Sequence, residues 1–182
     1  MGLLRVVLAS PVSDKDLILV FIKMVIDKKF KGLVKEDFRY VFYGNIETTE
    51  DLEIDLDMGL FVTGSIEAGR YIKAGWSIDA GESIKAGGYI EAGGSSGIVA
   101  GLSITCKGTL SFGLKAFAGI CSWREISEEE KTITCEKFNG GVVEYGILKE
   151  TGLEEDRKIE LSMDEIAQKF GVAVKDLKIK KD

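Results

Sequence analysis

The chain contains no histidine, and this absence excludes more than any single residue present. Histidine is the usual general base near neutral pH and the commonest metal ligand, so imidazole-based proton transfer and histidine-ligated metal sites are closed to the protein. Cysteine is scarce: Cys106, Cys121 and Cys135 show no Cys-x-x-Cys spacing, which fits reduced thiols in a cytoplasmic protein better than a disulfide scaffold. Without histidine as a base, the three read as core residues rather than nucleophiles. No apolar run is long enough to span a membrane, because the run from Leu17 to Ile26 is broken by Lys23 and falls far short of the ~20 residues required. Asp14 and Asp16 interrupt the N-terminal apolar stretch, so no signal peptide is expected either. Positive charge is also short, with 24 Lys and Arg against 30 Asp and Glu and a formal net charge of -6. Phosphate binding needs a basic surface, so the charge argues against direct nucleic-acid binding and leaves open an acidic surface that engages a basic protein patch.

What the chain has in excess is glycine, 22 residues against a single proline. Fourteen of these fall between Gly59 and Gly119, so they belong to a repeat and not to a flexible linker. Isoleucine recurs at Ile66, Ile72, Ile78, Ile84 and Ile90, and glycine at Gly69, Gly75, Gly81, Gly87 and Gly93, each spaced by six. A repeat this strict predicts a mainly β protein, a three-faced parallel β-helix in which each hexad forms one face of a coil. Ile66 and Ala68 point inward and Glu67 outward, because side chains alternate along a strand. The glycine that follows is expected to give the corner a positive or otherwise unusual φ. These glycines recur in strand register, so none forms a phosphate loop ahead of a helix.

The hexads are placed from Ile54 and Leu60 onward, with two extra residues around Gly94 to Gly97, and resume at Ile98, Ile104, Leu110 and Ala116. That makes eleven hexads, or about four coils. Charge supports three faces, because at a spacing of eighteen Asp55, Lys73 and Glu91 form one outward column and Glu67 and Lys85 another. Both columns alternate in sign, as stacked neighbours should. Past Gly97 the outward positions turn apolar, at Val99, Leu102, Phe112 and Phe117, which implies a cover: the segment that follows, or another subunit.

The flanks divide the chain into an α/β cap or interface segment at 1–53, the β-helix at 54–121, a hairpin cap at 122–152 and a helical tail at 153–182. In the first, residues 3–9 read as a strand, Asp16 to Lys29 as an apolar helix or strand closing the open end or forming a subunit interface, and Asp37 to Gly44 as an aromatic-rich strand. Asn139-Gly140-Gly141, between Lys131–Phe138 and Val142–Lys149, predicts a β-hairpin. Ser162 to Glu165 form a capping box ahead of Met163, Ile166, Ala167 and Phe170, with Gly171 as the C-cap of a short helix. That segment resembles the first helix and turn of a helix-turn-helix unit and the first half of a LysM module.

The hexads resemble two kinds of triangular β-helix: the left-handed hexapeptide-repeat transferases, with their γ-class carbonic anhydrase relatives, and the polymer-forming bactofilins. The Gly64-Ser-Ile-Glu-Ala68 and Gly88-Tyr-Ile-Glu-Ala92 units are closer to the second. The first resemblance implies catalytic or zinc-binding histidines, which the chain lacks, so neither an enzyme nor a cofactor is expected. The whole chain also resembles glycine-repeat proteins of bacterial phages and mobile elements. That likeness implies an inhibitor of a host defence system, of the anti-CRISPR kind, bound to a nucleic-acid-handling host protein. The alternatives are a bactofilin-like scaffold and a homo-oligomer that sequesters a small ligand. Arg70, Tyr71 and Tyr89 fall along one corner of adjacent coils, Trp76 lies on the next, and these with Trp123 are the residue types that anchor interfaces.

Overall fold

The computed structural model describes residues 23–152 together with Ala173. The strand expected at 3–9, the beginning of the apolar segment at 16–22 and the tail helix from Ser162 lie outside the described residues. From Lys23 onward the chain winds as a three-faced parallel β-helix. The first coil holds β1 (Lys23–Asp27), β2 (Leu33–Lys35), β3 (Arg39–Phe42) and β4 (Ile46–Thr48), and the second β5 (Asp51–Asp55), β6 (Gly59–Val62) and β7 (Ile66–Ala68). The third is β8 (Ile72–Ala74), β9 (Ile78–Ala80) and β10 (Ile84–Ala86); the fourth is β11 (Ile90–Ala92), β12 (Ile98–Ala100) and β13 (Ile104–Cys106). The fifth consists of β14 (Thr109–Ala118) and β15 (Thr132–Cys135), and the sixth of β16 (Lys137–Tyr145) and β17 (Ile147–Glu150).

The first face stacks β1, β5, β8, β11 and the leading halves of β14 and β16. The second stacks β3, β6, β9, β12 and the trailing halves of the same two long strands, and the third is a six-stranded sheet from β4 to β17. Six coils at ~4.8 Å per step give a body roughly 25–30 Å tall.

The core follows from the hexad. Ile66, Ile72, Ile78, Ile84 and Ile90 are fully buried, and the alanines two residues after each are buried with them. Each such isoleucine contributes roughly 1.5–3 kcal/mol of transfer free energy. The glycines work differently from expectation: those of the repeat do not have positive φ, which among the described residues is confined to Gly32, Gly44, Gly119 and Gly146. Their role is close approach between coils. A Cβ at Gly69 would overlap the carbonyl oxygen of Thr49, one at Gly87 that of Gly69, one at Gly81 that of Thr63, and one at Gly93 that of Gly75.

Several boundaries need correction. The described part of the N-terminal cap is not α/β: Lys23–Asp27, expected within a helix or strand, is a strand of the first coil, so the solenoid begins well before Ile54. In the second coil Leu52, not Ile54, takes the isoleucine position, since it lies level with Ile72 while Ile54 lies level with Ala74. The charged column is therefore Glu53, Lys73 and Glu91, and Asp55 sits beside Asp27 instead. The 122–152 hairpin does not form. β16 runs straight through Asn139-Gly140-Gly141 and pairs parallel with β14, because Gly140 and Gly141 press against the carbonyls of Phe112 and Leu114 where the strand bends round a corner. Phe112, expected outside, is buried and meets Phe138 edge-on, their ring centroids 5.5 Å apart. These two extra coils raise the count from four to six.

Candidate interaction surface

Two faces carry paired charges on their outward positions. On the first, Lys23 reaches from the adjoining corner to bond Glu53, and Lys73 Nζ lies 3.6 Å from Glu91. On the third, Lys85 Nζ donates to Glu67 at 2.9 Å. Exposed pairs of this kind contribute about 0.2–1 kcal/mol each, so they fix the stacking register rather than hold the fold.

The corner between the third and first faces is different. One residue ahead of each inward position of the first face stand, in ascending order, Lys23, Asp51, Tyr71, Tyr89 and Thr109. Tyr71 and Tyr89 stack with centroids 4.8 Å apart and planes 8° from parallel, a spacing imposed by the coil rise. Below them Asp51 is buried, with 5% of its surface exposed. Arg70 Nε approaches Asp51 Oδ1 to 3.3 Å, an ion pair whose geometry falls short of a hydrogen bond, so that this oxygen keeps an unmet acceptor position among the described residues. Burial first, then the nearby Asp51 carboxylate, pushes the Tyr71 phenol up. A buried carboxylate thus holds an arginine beside a stacked tyrosine pair, and the outer parts of these side chains remain accessible.

The structure brings together Arg70, Tyr71 and Tyr89, as the spacing predicts. It keeps Trp76 apart, half-exposed on the corner between the first and second faces, and Trp123 on the third corner, its ring tip over Gly101. Asp51 was missed in the sequence because placing Ile54 at the first inward position hid the residue that precedes Leu52. All three cysteines are free thiols, Cys106 and Cys135 buried and Cys121 partly so. Burial first, then the neighbouring Cys135, pushes Cys106 up to about 12, which suits a core residue and not a nucleophile.

Other features offer little chemistry. A cleft of about 630 Å³ is lined by Glu36, Asp37, Phe38 and Arg39, and one of about 320 Å³ by Asp27, Lys28, Lys29, Asp55, Leu56 and Asp57. In the second, Asp57 accepts from Lys28 at 2.7 Å and from the Tyr40 hydroxyl at 3.0 Å, bonds that tie the first coil to the second. Among the described residues no group of three or more His, Cys, Asp or Glu side chains is arranged to hold a metal, and no helix is long and apolar enough to cross a membrane.

Among the described residues, the second face holds an acid with no ion-pair partner. Asp79 lies level with Phe61 below and Val99 above, and burial pushes its carboxyl up to about 6 against a weaker opposing pull from Arg39. An unfolded aspartate titrates near 3.9, so the native state holds this proton more tightly. Its contribution to stability is full below about pH 4 and lost as pH rises through about 6. Asp79→Asn is accordingly expected to raise stability by about 2 kcal/mol at pH 7.5, allowing for partial exposure, and to leave it unchanged at pH 4. Urea midpoints of the two proteins at the two pH values measure the difference. No family model, curated protein or solved structure matches the chain.

Proposed function

We propose that the protein acts by binding another protein rather than by catalysis, with the Asp51, Arg70, Tyr71 and Tyr89 corner as its principal contact. The observation that carries this reading is the stacked tyrosine pair beside an arginine anchored on a buried carboxylate. Aromatic and arginine side chains dominate interface energetics, and a tyrosine already held by its neighbour loses little rotamer freedom on binding. The finer reading is an inhibitor of a bacterial defence system, of the anti-CRISPR kind, occupying the basic surface of a nucleic-acid-handling host protein. The net charge of -6 supports it, since such surfaces attract acidic partners. Hydroxyl-radical oxidation of the protein, free and in complex with a partner co-purified from host cells, tests the reading. Tyr71 and Tyr89 are expected to become protected while Trp76 stays as reactive as before; equal reactivity of both tyrosines in the two states contradicts it.

A second reading, a bactofilin-like scaffold, is favoured by the sheet ends. Among the described residues β1 and β4 at one end, and β16 and β17 at the other, each have a strand edge with no neighbour, and open edges template pairing with a second copy. On the second face the antiparallel strand β2 covers the edge of β3, which works against seamless stacking there. Sedimentation over rising concentration separates the two: open-ended growth supports the scaffold, and a constant small species supports the binder.

A further inference from the structure

We propose that the second face of the solenoid is a docking surface for an amphipathic helix of a partner protein whose apolar stripe carries a lysine or arginine, placed to meet Asp79. This rests on the protein-binding reading and extends it to a surface separate from the Tyr89 corner.

The three faces use the same hexad with different outward residues. The first presents Val25, Glu53, Lys73, Glu91 and Ser111, and the third Glu47, Glu67, Lys85 and Thr105. The second presents Phe61, Asp79, Val99 and Phe117, in that order up the face, with Val41 buried below them. A sheet face that meets only water is polar at these positions, whereas an apolar one is built to be covered. The segment expected to cover it, residues 122–152, stacks on top as further coils instead.

Asp79 sets the chemistry that a cover for this face would need. Among the described residues it makes no hydrogen bond and no ion pair. The one charge that acts on it is Arg39, whose guanidinium lies 4.6 Å over the Phe61 ring and whose Nε is held by Glu36 at 3.0 Å. A carboxylate set among Phe61, Val99 and Phe117 is unfavourable until a cation arrives, and the pairing is then strong because little water screens it. Uncharged apolar partners would leave that carboxylate desolvated and unpaired, and acidic ones would repel it, so the face selects for a basic residue within an apolar surface. Shape fits a helix. The central stripe is flanked by Gly59, Ser77 and Gly97 on one side, between Arg39 below and Lys115 above, and by Gly81, Gly101 and Gly119 above Thr63 on the other. Trp123, 60% exposed, stands over Gly101 as a wall along one margin.

The test uses the full chain and two synthetic amphipathic helical peptides that differ at one position, lysine or glutamate at the centre of a leucine and isoleucine stripe. The lysine peptide is expected to bind at least about tenfold more tightly than the glutamate peptide. Asp79→Asn is expected to shrink that ratio to about twofold or less, while Lys73→Ala on the first face leaves it unchanged. In the native protein the preference is expected to fade below pH 6 as Asp79 takes up its proton, since Phe61 and Val99 do not titrate and Arg39 stays charged; in the variant it does not change with pH. Equal binding of the two peptides, or binding of neither, overturns the proposal. So does a photo-crosslinker at position 99 that joins only to residues outside 23–152 of its own chain or to a second copy. If a partner protects Tyr71 and Tyr89 while neither peptide binds, this inference falls and the protein-binding reading stands; if the lysine peptide binds while no partner protects that corner, the docking face stands without it.

Discussion

Replacing Gly87 with alanine is expected to cost about 3 kcal/mol and to lower the melting temperature by about 6–12 °C, whereas Gly75→Ala leaves stability unchanged or slightly raised. The two glycines occupy the same place in the hexad, twelve residues apart, and neither has positive φ, so conformational freedom does not separate them. What separates them is the coil beneath. A Cβ on Gly87 would overlap the carbonyl of Gly69, with the amide nitrogen of Arg70 also close, while a Cβ on Gly75 meets open space. The obstruction is backbone, which cannot rotate aside, and Gly87 N also donates to the Ala68 carbonyl at 3.0 Å; moving the strand to make room strains the ladder on the third face. At Gly75 the only effect is on the unfolded chain, which alanine stiffens by about 0.4–1 kcal/mol in favour of folding. Thermal unfolding of the two variants side by side decides whether the repeat glycines serve close packing. Equal losses would mean that they serve backbone conformation instead.

The middle of the solenoid is legible in the sequence because the third coil repeats without interruption. Ile72, Ile78 and Ile84 follow each other at six, and Ile90 returns above Ile72 after eighteen. Coils that depart from that length blur the reading. In the second, Leu52 to Leu60 is eight residues, as is Ile90 to Ile98 in the fourth. The latter insertion shows itself through Gly94-Ser-Ser-Gly97. The former, at Leu56-Asp57, carries no glycine signal, and missing it shifts the frame by two and conceals Asp51. In the fifth coil seventeen residues separate Ala116 from Ile133. The excess forms a loop around Trp123 braced by Arg124 and Glu130, and hexad counting stops there. Gly140-Gly141 misleads for a physical reason: two adjacent glycines satisfy a tight turn and a sharp strand corner equally well, and only the carbonyls of the coil below favour the corner. Asp79 looks like any other residue of an Ile-x-Ala unit. Its unusual setting comes from Phe61 and Val99, eighteen residues before and twenty after, and becomes visible only when the faces are told apart.

The candidate corner is a different kind of feature, because its members are not needed for the hexad. Tyr89 is 37% exposed, and its inner neighbour Ile90 fills the core without it. Truncation to alanine therefore spares the fold while removing one ring of the stack and the outermost aromatic surface of the corner. Anchors of this type cost 2 kcal/mol or more when truncated in a bound complex, and about 2–3 kcal/mol corresponds to roughly 30- to 150-fold in affinity. Arg70 is less clean as a probe, since its removal leaves Asp51 buried without its ion pair and destabilises the free protein as well. Trp76 is the natural control: it is large, half-exposed and on the neighbouring corner. Titration calorimetry of the co-purified partner against native protein, Tyr89→Ala and Trp76→Ala is the most direct test of a binding protein that presents its contact on one corner of a rigid frame. The account predicts a loss of about 30-fold or more for Tyr89→Ala and native affinity for Trp76→Ala. Native affinity for Tyr89→Ala, with the fold intact, would contradict it.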